Sequence, residues 1–190
     1  MKLSFVLNGQ GVTLDVAPDR RAVDLLRDMG TLDVKEGCGT GECGACSVLV
    51  DGAHKLSCLM LAAQLEGREV LTASGLGTPD APHPIQRAFA EHGAVQCGFC
   101  TPGMTVAAAA LLAENSDPGR EDVRRAISGN LCRCTGYVMI VDAVQAAAQA
   151  LRSNPEPLRD MPQELRDNAK ASRKKPQALP KAARRKAGKP

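Results

Sequence analysis

Eight cysteines in 190 residues fall into two sets of four. Cys38, Cys43, Cys46 and Cys58 make C-x4-C-x2-C-x11-C, and Cys97, Cys100, Cys132 and Cys134 make C-x2-C-x31-C-x1-C. Thiolates are soft ligands, and four of them can complete the coordination of zinc or of an iron–sulfur centre. The alternative use of cysteines in even number is a disulfide framework, which needs an oxidising compartment. The chain opens Met1-Lys2-Leu3-Ser4-Phe5-Val6-Leu7, which reads as the start of a strand. No charged segment followed by an apolar stretch opens it, so no secretory signal is read and a cytoplasmic location is expected. In a reducing cytosol, clustered cysteines bind metal more often than they pair.

The two sets differ in what their spacing says. In the first, Gly37, Gly39, Gly41 and Gly44 are interleaved with the cysteines. The C-x4-C-x2-C run has the spacing of the plant-type ferredoxin loop that holds a [2Fe–2S] cluster. Glycine suits such a loop because it reaches positive φ without steric cost and lets backbone amides approach inorganic sulfur. Zinc prefers paired C-x2-C knuckles, so the four-residue gap argues for iron–sulfur here. The second set leaves zinc and iron–sulfur both open on spacing alone, since C-x1-C is tight for tetrahedral zinc but workable. Two four-cysteine sets in one chain, the first with ferredoxin spacing, shift the reading of both toward iron–sulfur.

Several elements must position these cysteines. Leu3–Leu7 and Val12–Val16 read as strands joined at Asn8-Gly9, the strongest short hairpin signal. A helix is expected from about Arg21 to Met29, with Ala22, Leu25, Leu26 and Met29 on one face and Asp19 as its cap. Ser47–Val50, closed by an Asp51-Gly52 turn, and Glu69–Thr72 read as further strands. The stretch from Ala73 to Pro84 reads as a linker. Beyond it the texture becomes helical. Helices are expected over 84–92, over 102–112 with Thr101 as N-cap and Pro102 as first helical residue, over 121–127 and over 137–151. The expected fold is α+β: an N-terminal domain over 1–76, a four-helix domain over 77–152 and a tail over 153–190.

Composition excludes several classes. With three Phe, one Tyr and no Trp, base-stacking platforms for nucleic acid are not expected. The longest apolar run, Val106–Ala113, is too short to span a bilayer. The formal net charge of +3 hides an asymmetry. Residues 1–151 carry 12 Lys and Arg against 17 Asp and Glu, whereas residues 152–190 carry 12 against 4. Six of the twelve prolines also lie in 152–190. Such a basic, proline-containing tail is expected to stay disordered, with docking to an acidic patch of a partner as its second reading.

Four longer motifs then stand in order: Glu36-Gly37-Cys38-Gly39-x-Gly41-Glu42-Cys43-Gly44-Ala45-Cys46, His83-Pro84-x-Gln86, Gln96-Cys97-Gly98-Phe99-Cys100-Thr101-Pro102-Gly103-Met104 and Gly129-Asn130-Leu131-Cys132-Arg133-Cys134-Thr135-Gly136-Tyr137. Over residues 2–152 the chain closely resembles the small iron–sulfur subunit of the xanthine oxidase family of molybdenum hydroxylases. The resemblance implies a β-grasp ferredoxin-like domain holding one [2Fe–2S] cluster through Cys38, Cys43, Cys46 and Cys58. It implies a four-helix domain holding a second through Cys97, Cys100, Cys132 and Cys134. It further implies a large partner subunit that carries molybdopterin, near Gln96 and Cys134, and a medium subunit carrying FAD or a cytochrome as electron acceptor. The implied activity is that of an oxidoreductase subunit passing single electrons from molybdenum outward, not catalytic by itself. A free-standing two-cluster carrier is the alternative. Where relatives commonly place Gln or Lys and then Pro after the Gly-Tyr pair, this chain has Val138-Met139.

Other residues have plainer readings. Arg133, between two candidate ligands, either stabilises a reduced cluster or pairs with a partner carboxylate. His83 reads as a turn residue, because four thiolates complete each site without it. Glu42 reads as a solvated or docking-face charge. Thr40, Ser47 and Thr101 read as loop and cap hydroxyls, since no His–carboxylate partnership accompanies them.

Overall fold

The structure, a computed structural model, describes residues 1–154. The basic tail from residue 155 onward, and the disorder and docking expected of it, lie outside the described residues.

Five strands form one mixed sheet: β1 (Lys2–Leu7), β2 (Gln10–Asp15), β3 (Ser47–Val50), β4 (Ala53–Leu56) and β5 (Glu69–Leu71), in the order β2-β1-β5-β3-β4. The β1–β2 hairpin turns at Asn8-Gly9, with φ of 49° and 80°, and Asp51-Gly52 repeats the device between β3 and β4, with φ of 48° and 77°. Positive φ at both central residues matches the right-handed twist of the flanking strands, which is why Asn-Gly and Asp-Gly dominate such turns. β5 comes last in sequence but lies inside the sheet, parallel to β1 and antiparallel to β3. Helix α1 (Ala22–Asp28) packs Val23, Leu25 and Leu26 against Leu3, Phe5, Val48 and Val70. A mixed sheet gripping one helix in this order is a β-grasp.

The second half is helical: α2 (Ala73–Leu76), α3 (Pro84–Glu91), α4 (Thr101–Glu114), α5 (Arg120–Ala126) and α6 (Val138–Ser153). α4 is buried nearly all round because it is central, with Met104, Val106, Ala108 and Leu112 among its buried side chains. Its run of alanines lets neighbours approach closely. α3, α5 and α6 surround it with Phe89, Val123, Ile140 and Val144. Strand β3 serves both cores: Val48 and Val50 face the sheet–α1 core, and Leu49 faces the helical one. This explains why all four of its residues are buried. No helix among the described residues is long and apolar enough to cross a membrane.

Three local expectations are corrected. Arg21, not Asp19, stands at the N-cap of α1, and it makes no side-chain cap bond. Cys100 takes the N-cap of α4, so Thr101 and Pro102 are its first and second residues. A proline satisfies either early position, because the N–H it lacks has no intrahelical partner there. The stretch read as a linker begins with the short helix α2, whose Ala73 is buried. β4 was not foreseen: Ala53-His54-Lys55-Leu56 has weak strand propensity, and its pairing with β3 makes it a strand.

His83, expected as a turn residue, is the N-cap of α3. Its Nδ1 accepts from Ile85 N at 3.3 Å, and its own N–H donates to Gln86 Oε1 at 2.9 Å. Gln86 Nε2 in turn donates to Ala73 O at 2.8 Å, tying α3 to α2. Burial pushes the His83 imidazole down to about 4. The unfolded chain binds this proton near pH 6.5, so the contribution is complete above that value and is lost as pH falls toward about 4. The urea midpoint should therefore decline over this window, and His83→Asn, which keeps a cap acceptor but does not titrate, should flatten the decline.

The two halves touch at glycine. Gly44 has φ of 67°, and a Cβ there would lie 2.6 Å from Asn130 Nδ2. A Cβ on Gly103, in the first turn of α4, would sit well under 3.0 Å from the Gly44 carbonyl oxygen. Helix propensity alone favours Gly103→Ala by about 1 kcal/mol. The close approach reverses that sign: Gly103→Ala should lower the thermal midpoint, and a rise would show that the two halves do not meet this closely.

Candidate metal centres

The first four cysteines are carried by the loop between α1 and β3 and by the short 3-10 turn Ser57–Leu59 that directly follows β4. Arg21 anchors the loop's entry, pairing with Asp24 at 2.8 Å and with Glu36 at 2.7 Å. Gly39, Gly41 and Gly44 all have positive φ, as expected of a loop wound back on itself. Ser57 Oγ donates to Cys46 O at 2.8 Å, fixing the Cys58 turn beside Cys46. Amides converge on sulfur: Thr40 N lies 3.4 Å and Glu42 N 3.3 Å from Cys38 Sγ. Glu42 itself is exposed and accepts from Thr40 Oγ1 at 3.1 Å.

The second four come from the loop entering α4 and the turn entering α6. Cys97 Sγ and Cys134 Sγ are 3.6 Å apart. Cys100 and Cys132 form a second contacting pair. Thr135 holds Cys132, with its Oγ1 3.1 Å and its amide 3.5 Å from the sulfur. Cys132 N donates to Tyr137 Oη at 2.8 Å. Tyr137 has a φ of 69°, a strained conformation for a bulky residue, which redirects the chain from this turn into α6.

The surroundings set the acidity of each thiol. The Thr40 hydroxyl, followed by the Thr40, Cys43 and Glu42 amides, pulls Cys38 down to about 6. Burial, then the contact with Cys46, pushes Cys58 up to about 11. Burial, then Cys132, pushes Cys100 up to about 12. Cys132 is partly buried, which raises it, but the Thr135 hydroxyl and the amides of Thr135 and Cys134 outweigh this and bring it to about 7. The contact with Cys97 raises Cys134.

None of the eight cysteines is disulfide-bonded. Within the described residues, no three His, Cys, Asp or Glu converge as ligands of a single ion. The thiols instead approach in twos: Cys97 with Cys134, Cys100 with Cys132, and Cys46 with Cys58. A [2Fe–2S] cluster spreads four thiolates over two irons, whereas zinc gathers them around one point. The pairing, the amides aimed at sulfur and the glycine loop fit the two-iron group.

The sites differ in exposure. Cys46 and Cys58 are buried, whereas Cys97 and Cys134 are exposed. The second set lines a concavity of about 620 Å³ together with Phe99, Leu131, Arg133 and Tyr137. Val95, Phe99, Leu131, Val138 and Met139 are all large apolar side chains left substantially exposed. Gln96 is exposed beside Cys97, and Arg133 is exposed between its two neighbours. Sequence reasoning gave no role to Asn130, buried between the two loops, or to His54, which meets the loop hydroxyl of Ser47 behind it; a lone amide in a turn carries no sequence signal of what it will meet.

The description "2Fe-2S iron-sulfur cluster binding domain" fits residues 5–72, and "[2Fe-2S] binding domain" fits residues 72–145. The fold and site thus define an iron–sulfur protein with two [2Fe–2S]-binding domains. The chain is 48% identical over 148 residues to the nicotinate dehydrogenase small FeS subunit of Eubacterium barkeri, covering 77% of this chain and 94% of the relative. It is 49% identical over 144 residues to the xanthine dehydrogenase iron-sulfur-binding subunit of Escherichia coli O157:H7, covering 75% and 91%. A chain of quinoline 2-oxidoreductase from Pseudomonas putida 86 superposes with a TM-score of 0.77 at 44% identity, covering 81% of this chain and 97% of that one. The chain belongs to the small iron–sulfur subunits of the xanthine oxidase family of molybdenum hydroxylases.

The thiol acidities predict an order of reaction. At neutral pH, above the Cys38 value of about 6 and far below the Cys58 and Cys100 values of about 11 and about 12, Cys38 is mostly thiolate and the other two are protonated. Mass spectrometry of the reduced, metal-free chain treated briefly with an alkylating reagent should find Cys38 modified first and Cys100 last. Equal labelling of the two would contradict the geometry of both loops.

Proposed function

We propose that the chain is the electron-transfer subunit of a molybdopterin-dependent hydroxylase or dehydrogenase, relaying single electrons from a molybdenum centre in a large partner subunit to a medium FAD subunit or a cytochrome. One [2Fe–2S] cluster is held by Cys38, Cys43, Cys46 and Cys58, and a second by Cys97, Cys100, Cys132 and Cys134. The observation that carries the reading is the exposed pair Cys97 and Cys134 in a concavity lined by Phe99 and Leu131, with Val138 and Met139 exposed at the start of α6. An apolar rim around a redox site is a surface made to be covered, and covering it removes water from the path of the electron. The large subunit takes this face, with Gln96 and Cys134 nearest the molybdopterin. Domains over 1–76 and 77–152 follow from the same reading, as does a reducing cytoplasmic setting for eight free thiols.

When bound, the clusters supply one-electron carriers, and the chain's own groups tune them. The Thr40 and Glu42 amides and the Thr135 hydroxyl donate toward ligand sulfur and stabilise added negative charge. The Arg133 cation, between Cys132 and Cys134, acts in the same direction. Burial of Cys46, Cys58 and Cys100 raises the cost of that charge, so the two effects oppose each other within each site.

Purification from the native host tests the assignment. About four irons with acid-labile sulfide per chain, together with a co-purifying molybdopterin subunit, are expected. Zinc alone would overturn the iron–sulfur reading, and a fully active isolated monomer would favour the free-standing carrier. In the complex, Cys134→Ser should abolish the paramagnetic signal of the second cluster and stop substrate from reducing the first. Normal reduction of both clusters by substrate would sink the assignment.

A further inference from the structure

The two thiol sets are distant in sequence, yet their loops are joined at one place. Leu131 N–H donates to the Cys43 carbonyl at 2.9 Å. Cys43 belongs to the first set, and Leu131 is bonded directly to Cys132 of the second. One hydrogen bond and one residue therefore separate a ligand of one site from a ligand of the other. Beside this link sits Asn130, only 2% exposed. Its Nδ2 donates to Gly44 O at 2.9 Å and to Ser47 Oγ at 3.2 Å.

The hydrogen-bond roles around Asn130 are determined. Ser47 Oγ gives its own proton to Gly44 O at 2.7 Å, so it accepts from Asn130 and from His54 Nε2, the latter at 2.8 Å. The carboxamide cannot be turned over without setting Oδ1 against the Gly44 carbonyl. Oδ1 is buried with no partner. An unpaired buried acceptor is a cost that an apolar residue would avoid, so what Asn130 contributes is its pair of donated bonds. Those bonds hold Gly44, the residue after Cys43, against the turn that carries Leu131. The bare glycine faces at 44 and 103 allow backbone-to-backbone approach at the same point.

We infer that the Cys43–Leu131 hydrogen bond, clamped by Asn130, is the bonded link through which an electron passes between the two cluster sites, and that Asn130 is the positioning residue that keeps it short. The inference rests on the iron–sulfur reading above. Electronic coupling decays more slowly through bonds and a short hydrogen bond than across a gap, so lengthening this contact slows transfer. One electron leaves the site held by the second set, which is oxidised, and arrives at the site held by the first, which is reduced. No bond forms or breaks, and no proton moves.

The test uses the assembled complex carrying Asn130→Ala. Three quantities are read: the magnetic splitting between the two reduced clusters, the lag between their reduction after rapid mixing with reductant, and hydrogen exchange in the peptide spanning Leu131. The splitting and the lag are taken only from molecules that hold both clusters. The expected result is a smaller splitting, inter-cluster transfer slowed severalfold and faster exchange at Leu131. A purely structural role would lower thermal stability while leaving splitting and transfer rate unchanged, and that result overturns the inference. If Asn130→Ala yields no doubly loaded molecules, Asn130→Asp, which keeps the size and loses the donors, is judged by the same readings. Iron and sulfide counts on the unaltered complex separate the two levels: absence of two clusters defeats the iron–sulfur reading, whereas two clusters with unchanged transfer in the variant defeats only this inference.

Discussion

The carbonyl oxygen of Gly44 accepts from Ser47 N at 3.1 Å, from Ser47 Oγ at 2.7 Å and from Asn130 Nδ2 at 2.9 Å. At this one atom the cysteine loop of the β-grasp meets the helical half. The contact requires a residue at 44 that tolerates a positive φ and has no side chain, and a helix start at 103 that presents only backbone. With that satisfied, α4 lies close enough to β3 for Leu49 to complete the helical core while Val48 and Val50 complete the other. The two halves are therefore joined through the same few residues that bring the two thiol sets together.

Each set must hold several sulfurs that become anionic when they bind metal. The fold handles this with short-range donors rather than with cations buried in the core. Amides from a glycine-rich turn and hydroxyls from Thr40 and Thr135 reach the sulfurs. Burial works against them at Cys58 and Cys100. The result is one acidic and one reluctant thiol in each site: Cys38 and Cys58 in the first, Cys132 and Cys100 in the second. The first site is closed over by the sheet–α1 core, with Cys46 and Cys58 inside it. The second opens outward through Cys97 and Cys134 among exposed apolar side chains, so a partner has one obvious face to cover.

Much of this was legible in sequence because it is local. Asn8-Gly9 announces a hairpin and Asp51-Gly52 a turn, since few residue pairs take positive φ in succession. The α1 face, the α4 alanine run and the ferredoxin spacing can each be read within a short window. Cap positions shifted by a residue or two because several neighbours can fill the same role. β4 could not be read, because its strand character comes from β3 and not from its own side chains.

By itself, the sequence determined which residues carry the chemistry and in what order: eight cysteines in two sets, glycines where a loop must wind, and a hairpin-and-helix half followed by a helical half. Tertiary structure decided how they pair and face. The approach of Cys97 to Cys134 across 36 intervening residues, the orientation of the second set toward solvent and the bond from Leu131 to Cys43 all join segments far apart in the chain. Spacing along a chain limits how neighbours can lie, but contacts between distant segments depend on how two cores pack, and no window of sequence holds both.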